Sequence, residues 1–146
     1  MSRDLLVPLY RTARIRHLYL KNMMKEMGLS GNMNMILMKI ADGPCESQDA
    51  LALEVLSDKA SVSRECGALE KMGLIETVTD PSNRRKRILS LTGKGEKTLG
   101  EIRKINSGIA EVLLRDIPED EKAVLSRCME EMESNAEELW EFLTGK

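Results

Sequence analysis

The chain has 146 residues, a formal net charge of −2, 42% hydrophobic and 32% charged residues, and 3% aromatic residues. That length suits one domain with room for an assembly surface, and the composition suits a helix-rich fold whose core is filled by Leu and Met. No apolar run approaches a membrane span, Met1-Ser2-Arg3-Asp4 does not begin a signal peptide, and three cysteines without C-x-x-C spacing beside a single His argue against a metal site or a disulfide framework. The expectation is a cytoplasmic protein without a cofactor.

The charge is unevenly spread. Residues 1–28 hold six basic and two acidic residues, a net +4; residues 59–97 hold nine and five, again +4; residues 116–146 hold three and ten, a net −7. A basic middle and an acidic tail are expected where one surface meets phosphate and another faces away.

In chain order, the first helix spans about Arg3 to Met27, with Pro8 expected in its first turn and Gly28 ending it. Leu6, Tyr10, Ala13, His17 and Leu20 form one stripe, and Leu5, Leu9, Thr12, Arg16, Tyr19 and Met23 another. Two partly apolar faces predict packing on the chain's own domain and on a second copy. A second helix, about Met33 to Ala41, is apolar nearly all round and is placed at the centre; Asp42-Gly43-Pro44 stops it. Ser47 is an N-cap type for a third helix, about Gln48 to Leu56.

Asp58 is the N-cap type for a fourth. Val62, Cys66, Leu69 and Met72 lie on one face of it, and Lys59, Ser61, Ser63 and Arg64 on the other; Gly73 is its expected C-cap. The two short helices with a tight link form a helix-turn-helix, the second being the reading helix. Leu74 to Thr79 and Arg87 to Leu91 read as a hairpin, joined through Asp80-Pro81-Ser82-Asn83 and the basic run Arg84-Arg85-Lys86-Arg87. A polar-faced helix followed by a cationic hairpin suits B-DNA: the helix enters the major groove and the hairpin reaches backbone or minor groove. Ser hydroxyls reach phosphate or base, and Arg takes a guanine edge bidentately. Strand alternation sends Arg84 and Lys86 one way and Arg85 and Arg87 the other, so the four cannot share one groove.

Thr92 caps a fifth helix to about Arg115, with Gly93-Lys94-Gly95 read as helix-start packing. Pro118 and the acids Glu119, Asp120 and Glu121 open a sixth. Its Leu125, Cys128, Met129, Met132, Ala136, Leu139 and Leu143 approach a heptad stripe, which predicts a dimerisation arm. The three cysteines divide by context: Cys66 and Cys128 lie on apolar stripes, where burial is expected, and Cys45 is expected to be exposed.

DKASVSRECGALEKMGLIE, then DPSNRR, then LTGKG, resembles the MarR family of winged-helix transcription regulators, whose pattern runs D-K-S-T-V-S-R, L-E-x-x-G-L-I, D-P-x-D-x-R and L-T-x-x-G. Four blocks in order carry the resemblance, and the rest of the chain agrees in length and helix order. The resemblance implies a mainly α fold with a small β-hairpin wing: a winged helix-turn-helix lobe over about 29–95 and dimerisation helices over about 1–28 and 96–146, all within one domain. It implies DNA contact by Lys59, Ser61, Ser63, Arg64, Asn83, Arg84, Arg85 and Arg87, with Arg85 entering the minor groove. In the family that arginine is often held by an Asp two residues earlier; here the slot is Asn83. A Gly followed by an apolar residue often precedes the helix-capping Asp; here those slots are Leu56 and Ser57.

The resemblance also implies an effector pocket between the first two helices and the DNA-binding lobe. Tyr10, Arg16, His17 and Met33 are its candidate lining, and Arg beside Met and Tyr suits an aromatic acid. Some family members sense oxidants through a Cys in the first helix, which here has none; Cys45 is the redox candidate. The expected function is that of a homodimeric repressor of a pseudo-palindromic operator on double-stranded DNA. The alternatives are a helical protein-interaction module, which the basic 59–97 segment opposes, and a thiol-based regulator. An enzyme is not expected: there is no Ser/His/Asp set or phosphate-cradling loop, and a single His leaves little for general-base work.

Overall fold

The computed structural model describes residues 2–45 and 47–145. The elements are α1 (Ser2–Glu26), α2 (Met33–Asp42), α3 (Gln48–Glu54), α4 (Lys59–Lys71), β1 (Ile75–Asp80), β2 (Asn83–Leu91), α5 (Gly93–Leu114) and α6 (Glu119–Thr144). The chain divides into two compact units, residues 1–107 and 108–146. Among the described residues no helix is long and apolar enough to cross a membrane.

In the first unit the core forms where the apolar faces of α2, α3 and α4 meet. Ile36 and Leu37 from α2, Leu51 from α3, and Val62, Cys66 and Leu69 from α4 are fully buried, joined by Leu74 and by Ile102 of α5. The expected stripe of α4 therefore points inward, with Met72 half-buried at its end. The central place given to α2 needs one correction. Met33, Ile36, Leu37 and Ile40 are buried, but Met35 and Met38 are exposed, because their side of the helix borders a cavity and not the core.

Local capping sets the boundaries. The Ser47 hydroxyl accepts the Ala50 N–H at 3.1 Å and starts α3. Asp58 Oδ1 accepts the Ser61 N–H at 2.8 Å and starts α4. The Thr92 hydroxyl accepts the Gly95 N–H at 3.0 Å and starts α5. Each satisfies one of the donors that a helix start leaves unpaired. Pro8 does not open α1, which runs continuously from Ser2 through it. Pro8 sits near the start of the helix, where it cannot donate to the carbonyl of Asp4, an exposed residue.

Between α3 and α4 the chain turns at Leu56, the one non-glycine residue with positive φ among those described, at 53°. This is the slot where the related pattern carries Gly. A bulky side chain in the left-handed region costs about 1–2 kcal/mol, and at 58% exposure Leu56 recovers little of that through burial.

The hairpin is antiparallel, with Ile75 opposite Leu91 and Thr79 opposite Arg87. The return strand begins at Asn83, four residues earlier than the sequence predicts, because Asp80 pairs with Asn83 and the ladder resumes only at Arg87. Arg84, Arg85 and Lys86 therefore stand as an excess on β2, a bulged wing tip. Cys45 extends the sheet: the Leu89 N–H donates to its carbonyl at 3.0 Å in an isolated bridge. That pairing corrects the exposure expected of Cys45, which is buried, whereas Cys128 is exposed.

The hairpin base is pinned to the end of α4. The Thr92 hydroxyl donates to the Gly73 carbonyl, and Lys94 Nζ donates to the Met72 carbonyl at 2.7 Å. A Cβ on Gly95 would overlap the Leu74 carbonyl, so α5 can approach this closely only with glycine there. In the second unit α6 carries no buried residue. Leu125, Met129, Met132, Leu139, Phe142 and Leu143 are all exposed, as are Leu5, Leu6, Val7 and Tyr10 on α1.

Two substitutions check this description. Leu56→Gly relieves the left-handed strain at the cost of a looser unfolded chain, and a gain of about 0.5–1 kcal/mol is expected in urea unfolding; Leu56→Ala keeps a Cβ and gains nothing. Gly95→Ala drives a methyl into backbone and is expected to cost about 2 kcal/mol or more, toward the upper end for overpacking.

Candidate nucleic-acid interface

The exposed face of α4 is organised from its cap. Asp58 Oδ1 takes the Ser61 N–H, and Oδ2 takes the Ser61 hydroxyl at 2.8 Å. The Ser61 oxygen in turn accepts from Arg64 Nη2 at 3.1 Å. The backbone bond from Ser61, then its hydroxyl, hold the Asp58 carboxyl below its ordinary pKa. The relay Asp58–Ser61–Arg64 uses the Ser61 hydroxyl inside the protein and fixes one corner of the guanidinium, leaving the rest of the fork outward. Ser61 thus orients Arg64, a role the sequence reading did not assign. The D-x-x-S spacing at a helix start was the signal for it.

Ser63 is exposed on the same face. Lys59 Nζ lies 3.0 Å from Asp49 Oδ2, with both side chains mostly exposed. A pair of that kind is worth about 0–1 kcal/mol, so Lys59 can be drawn to a phosphate at little cost.

The wing presents the second cationic element. Asp80 Oδ1 accepts the Ser82 hydroxyl at 2.7 Å and the Ser82 N–H at 2.8 Å, closing the turn. These bonds, chiefly the hydroxyl, and the nearby Lys86 hold the Asp80 carboxyl below its ordinary pKa. Asn83 Oδ1 accepts the Arg85 backbone N–H at 3.1 Å. Asn83 therefore holds Arg85 by its main chain, where an Asp could hold the guanidinium. Arg84, Arg85 and Arg87 are exposed and Lys86 is half-buried, so the bulge turns three of the four cations outward. Thr77 of β1 donates its hydroxyl to Glu70 of α4 at 3.1 Å, a further tie between wing and reading helix.

The effector candidates separate into two groups. Arg16 and His17 line a cavity of about 380 Å³ with Leu20, Met24, Met35 and Met38. Arg16 Nη2 donates to Asn106 Oδ1 at 2.9 Å on the cavity wall. Met33 is buried beside it, its sulfur accepting the Ser30 N–H at 3.4 Å, and Tyr10 is exposed farther up α1; neither belongs to the lining. Met35, Met38 and Asn106 are lining residues that the sequence reading did not name.

Cys45, the redox candidate, is buried, and its thiol lies 3.6 Å from the Ser47 carbonyl. Burial pushes the Cys66 thiol up to about 11, which keeps it protonated and unreactive at neutral pH. Among the described residues, no group of His, Cys, Asp and Glu could hold a metal ion.

No protein-family model matches the chain. Individual proteins do. The HTH-type transcriptional regulator YybA of Bacillus subtilis is 27% identical over 119 residues, 82% of this chain and 79% of its own. The transcriptional regulator HosA of Escherichia coli is 29% identical over 97 residues, 66% of this chain and 72% of its own. Among solved structures, the transcriptional regulator SlyA superposes with a TM-score of 0.81 at 26% identity, covering 96% of this chain and 99% of its own. MarR superposes with a TM-score of 0.72 at 28% identity, covering 95% and 92%. With the capped reading helix, the cationic wing and likeness along nearly its whole length, the chain has the winged helix-turn-helix fold of the MarR-family transcription regulators and is similar to them in sequence, which supports DNA-binding transcription regulation.

Proposed function

We propose that the chain is a cytoplasmic, ligand-responsive repressor that binds a pseudo-palindromic operator as a homodimer. The observation that carries the reading is the outward Arg64, oriented through Ser61 by the Asp58 cap, on the same lobe as a wing tip with Arg84, Arg85 and Arg87 exposed. Arg64 suits a guanine edge, Ser63 and Lys59 suit phosphates, and Arg85 suits the minor groove beside the reading helix.

The homodimer is supported by apolar surface that one copy leaves bare. On α6 the stripe through Leu125, Met129, Met132 and Leu139 has no cover, and α1 exposes Leu5, Leu6 and Val7. Contiguous apolar helix faces of this extent mark an interface. Two reading helices related by a two-fold axis contact successive major grooves about 34–36 Å apart.

The effector reading rests on the cavity. Arg16 and His17 offer cationic and polar recognition at one side, and Leu20, Met24, Met35 and Met38 an apolar, adaptable bed. That combination suits an aromatic carboxylate. Such a ligand lowers DNA affinity only by its differential affinity for the two states of the dimer.

Fluorescence anisotropy on DNA from upstream of the protein's own gene, against scrambled DNA at two salt concentrations, tests the reading. Tight binding to the native fragment alone, with a steep salt slope, is expected; equal weak binding to both would defeat it for that fragment and favour a protein partner. Arg85→Ala is expected to lower the salt slope by about one and weaken binding on all sequences, whereas Arg64→Ala should cost about 1–3 kcal/mol and relax preference at one base pair. Benzoate, as the simplest aromatic carboxylate, is expected to reduce binding in wild type and to lose that effect in Arg16→Ala.

A further inference from the structure

Glu65 follows Arg64 on α4 and turns the other way, into the protein. Its Oε1 accepts the backbone N–H of Asn32 at 2.9 Å, across 33 residues of sequence. Its Oε2 is buried and has no hydrogen-bond partner. A Cβ on Gly31 would overlap this carboxylate, and Gly31 sits at φ 56°, so glycine is what lets the loop close over it. Ser30, Gly31 and Asn32 also line the cavity that holds Arg16 and His17. The loop joining α1 to α2 thus has the cavity on one side and the reading helix on the other, with buried Leu29 and Met33 anchoring its two ends.

A carboxylate with one bonded oxygen and one buried oxygen without a protein partner is costly to bury, and such a group in a native fold calls for an explanation. A fully bonded carboxylate would act as a staple. One held by a single N–H is released by a small shift of the loop, because little else keeps it in place. We infer that Glu65 is a positioning residue that couples the cavity-lining loop to the reading helix. Displacement of Gly31 and Asn32 by a cavity occupant frees Glu65 and alters how α4 presents Arg64. By linkage, DNA bound on α4 disfavours the occupant by the factor by which the occupant disfavours DNA, and so favours the loop closed on Glu65. The occupant rests on the effector reading above; the coupling itself is tested with DNA alone.

The Asn32 N–H precedes the α2 ladder, so its hydrogen exchange reports this one contact. Exchange is measured on the full chain, with and without a saturating duplex selected from a random-sequence library. In wild type the duplex is expected to slow Asn32 by about fivefold or more, within the usual range of coupling. In Glu65→Ala, Asn32 exchanges faster without DNA, and the duplex, still bound, no longer slows it. Glu65→Gln keeps an acceptor for Asn32 and removes the buried charge, so it retains the response. Gly31→Ala displaces the carboxylate without altering Glu65 and should behave as Glu65→Ala does.

An unchanged DNA response in Glu65→Ala overturns the inference, as does a wild-type Asn32 that ignores bound DNA. A rise in exchange shared equally by Ile102, in the core, would assign Glu65 to stability alone and overturns it as well. If benzoate leaves DNA affinity unchanged while the Asn32 response persists, the ligand reading fails and the coupling stands.

Discussion

The exposed cationic face of α4 depends on the carboxylate of Asp58. One oxygen closes the first turn of α4 and the other takes the Ser61 hydroxyl, which then holds Arg64. A long side chain on an exposed helix loses rotamer entropy whenever it binds, and part of that loss is met in advance when its guanidinium is already bonded. One short acidic side chain thereby sets both where the helix begins and where its cation points. The hairpin is held to the other end of the same helix through Thr92, Lys94 and the Glu70–Thr77 bond, so wing and reading helix share one frame.

That frame is built at some cost in strain. Leu56 occupies a left-handed turn position with most of its side chain in water. The segment between α3 and α4 must reverse within a few residues to bring Asp49 beside Lys59 and to aim Asp58 at Ser61. Tertiary packing of Leu51, Val62 and Leu69 over-determines the turn and maintains a backbone that Leu alone would avoid.

What could be read in advance was local. Ser47, Asp58 and Thr92 act on residues three positions ahead, and the four-three-three spacing of Val62, Cys66, Leu69 and Met72 reports one helix face, so caps and core stripe were legible without a fold. Features that depend on distant partners were not. Cys45 looked exposed because its bridge to Leu89 cannot be inferred from its neighbours. Glu65 reads as one more surface charge on a basic segment until Asn32 is brought against it. Met35 and Met38 have the composition of core residues, and only the void beside them distinguishes them from Ile36 and Leu37. The two-residue periodicity of the basic run also failed at Arg84–Lys86, because alternation holds only where the ladder is continuous.

The bulged wing tip bears on solubility as well as on recognition. A two-stranded sheet has two open edges, each a row of backbone donors and acceptors able to recruit a strand from another molecule. Cys45 covers part of one edge at Leu89, and toward the tip the ladder is interrupted between Asn83 and Arg87. The three-residue bulge there twists the strand away from a flat register, and Arg84, Arg85 and Arg87 repel a like copy. The charges suited to a DNA backbone therefore also guard the hairpin against edge-to-edge aggregation while no DNA is bound.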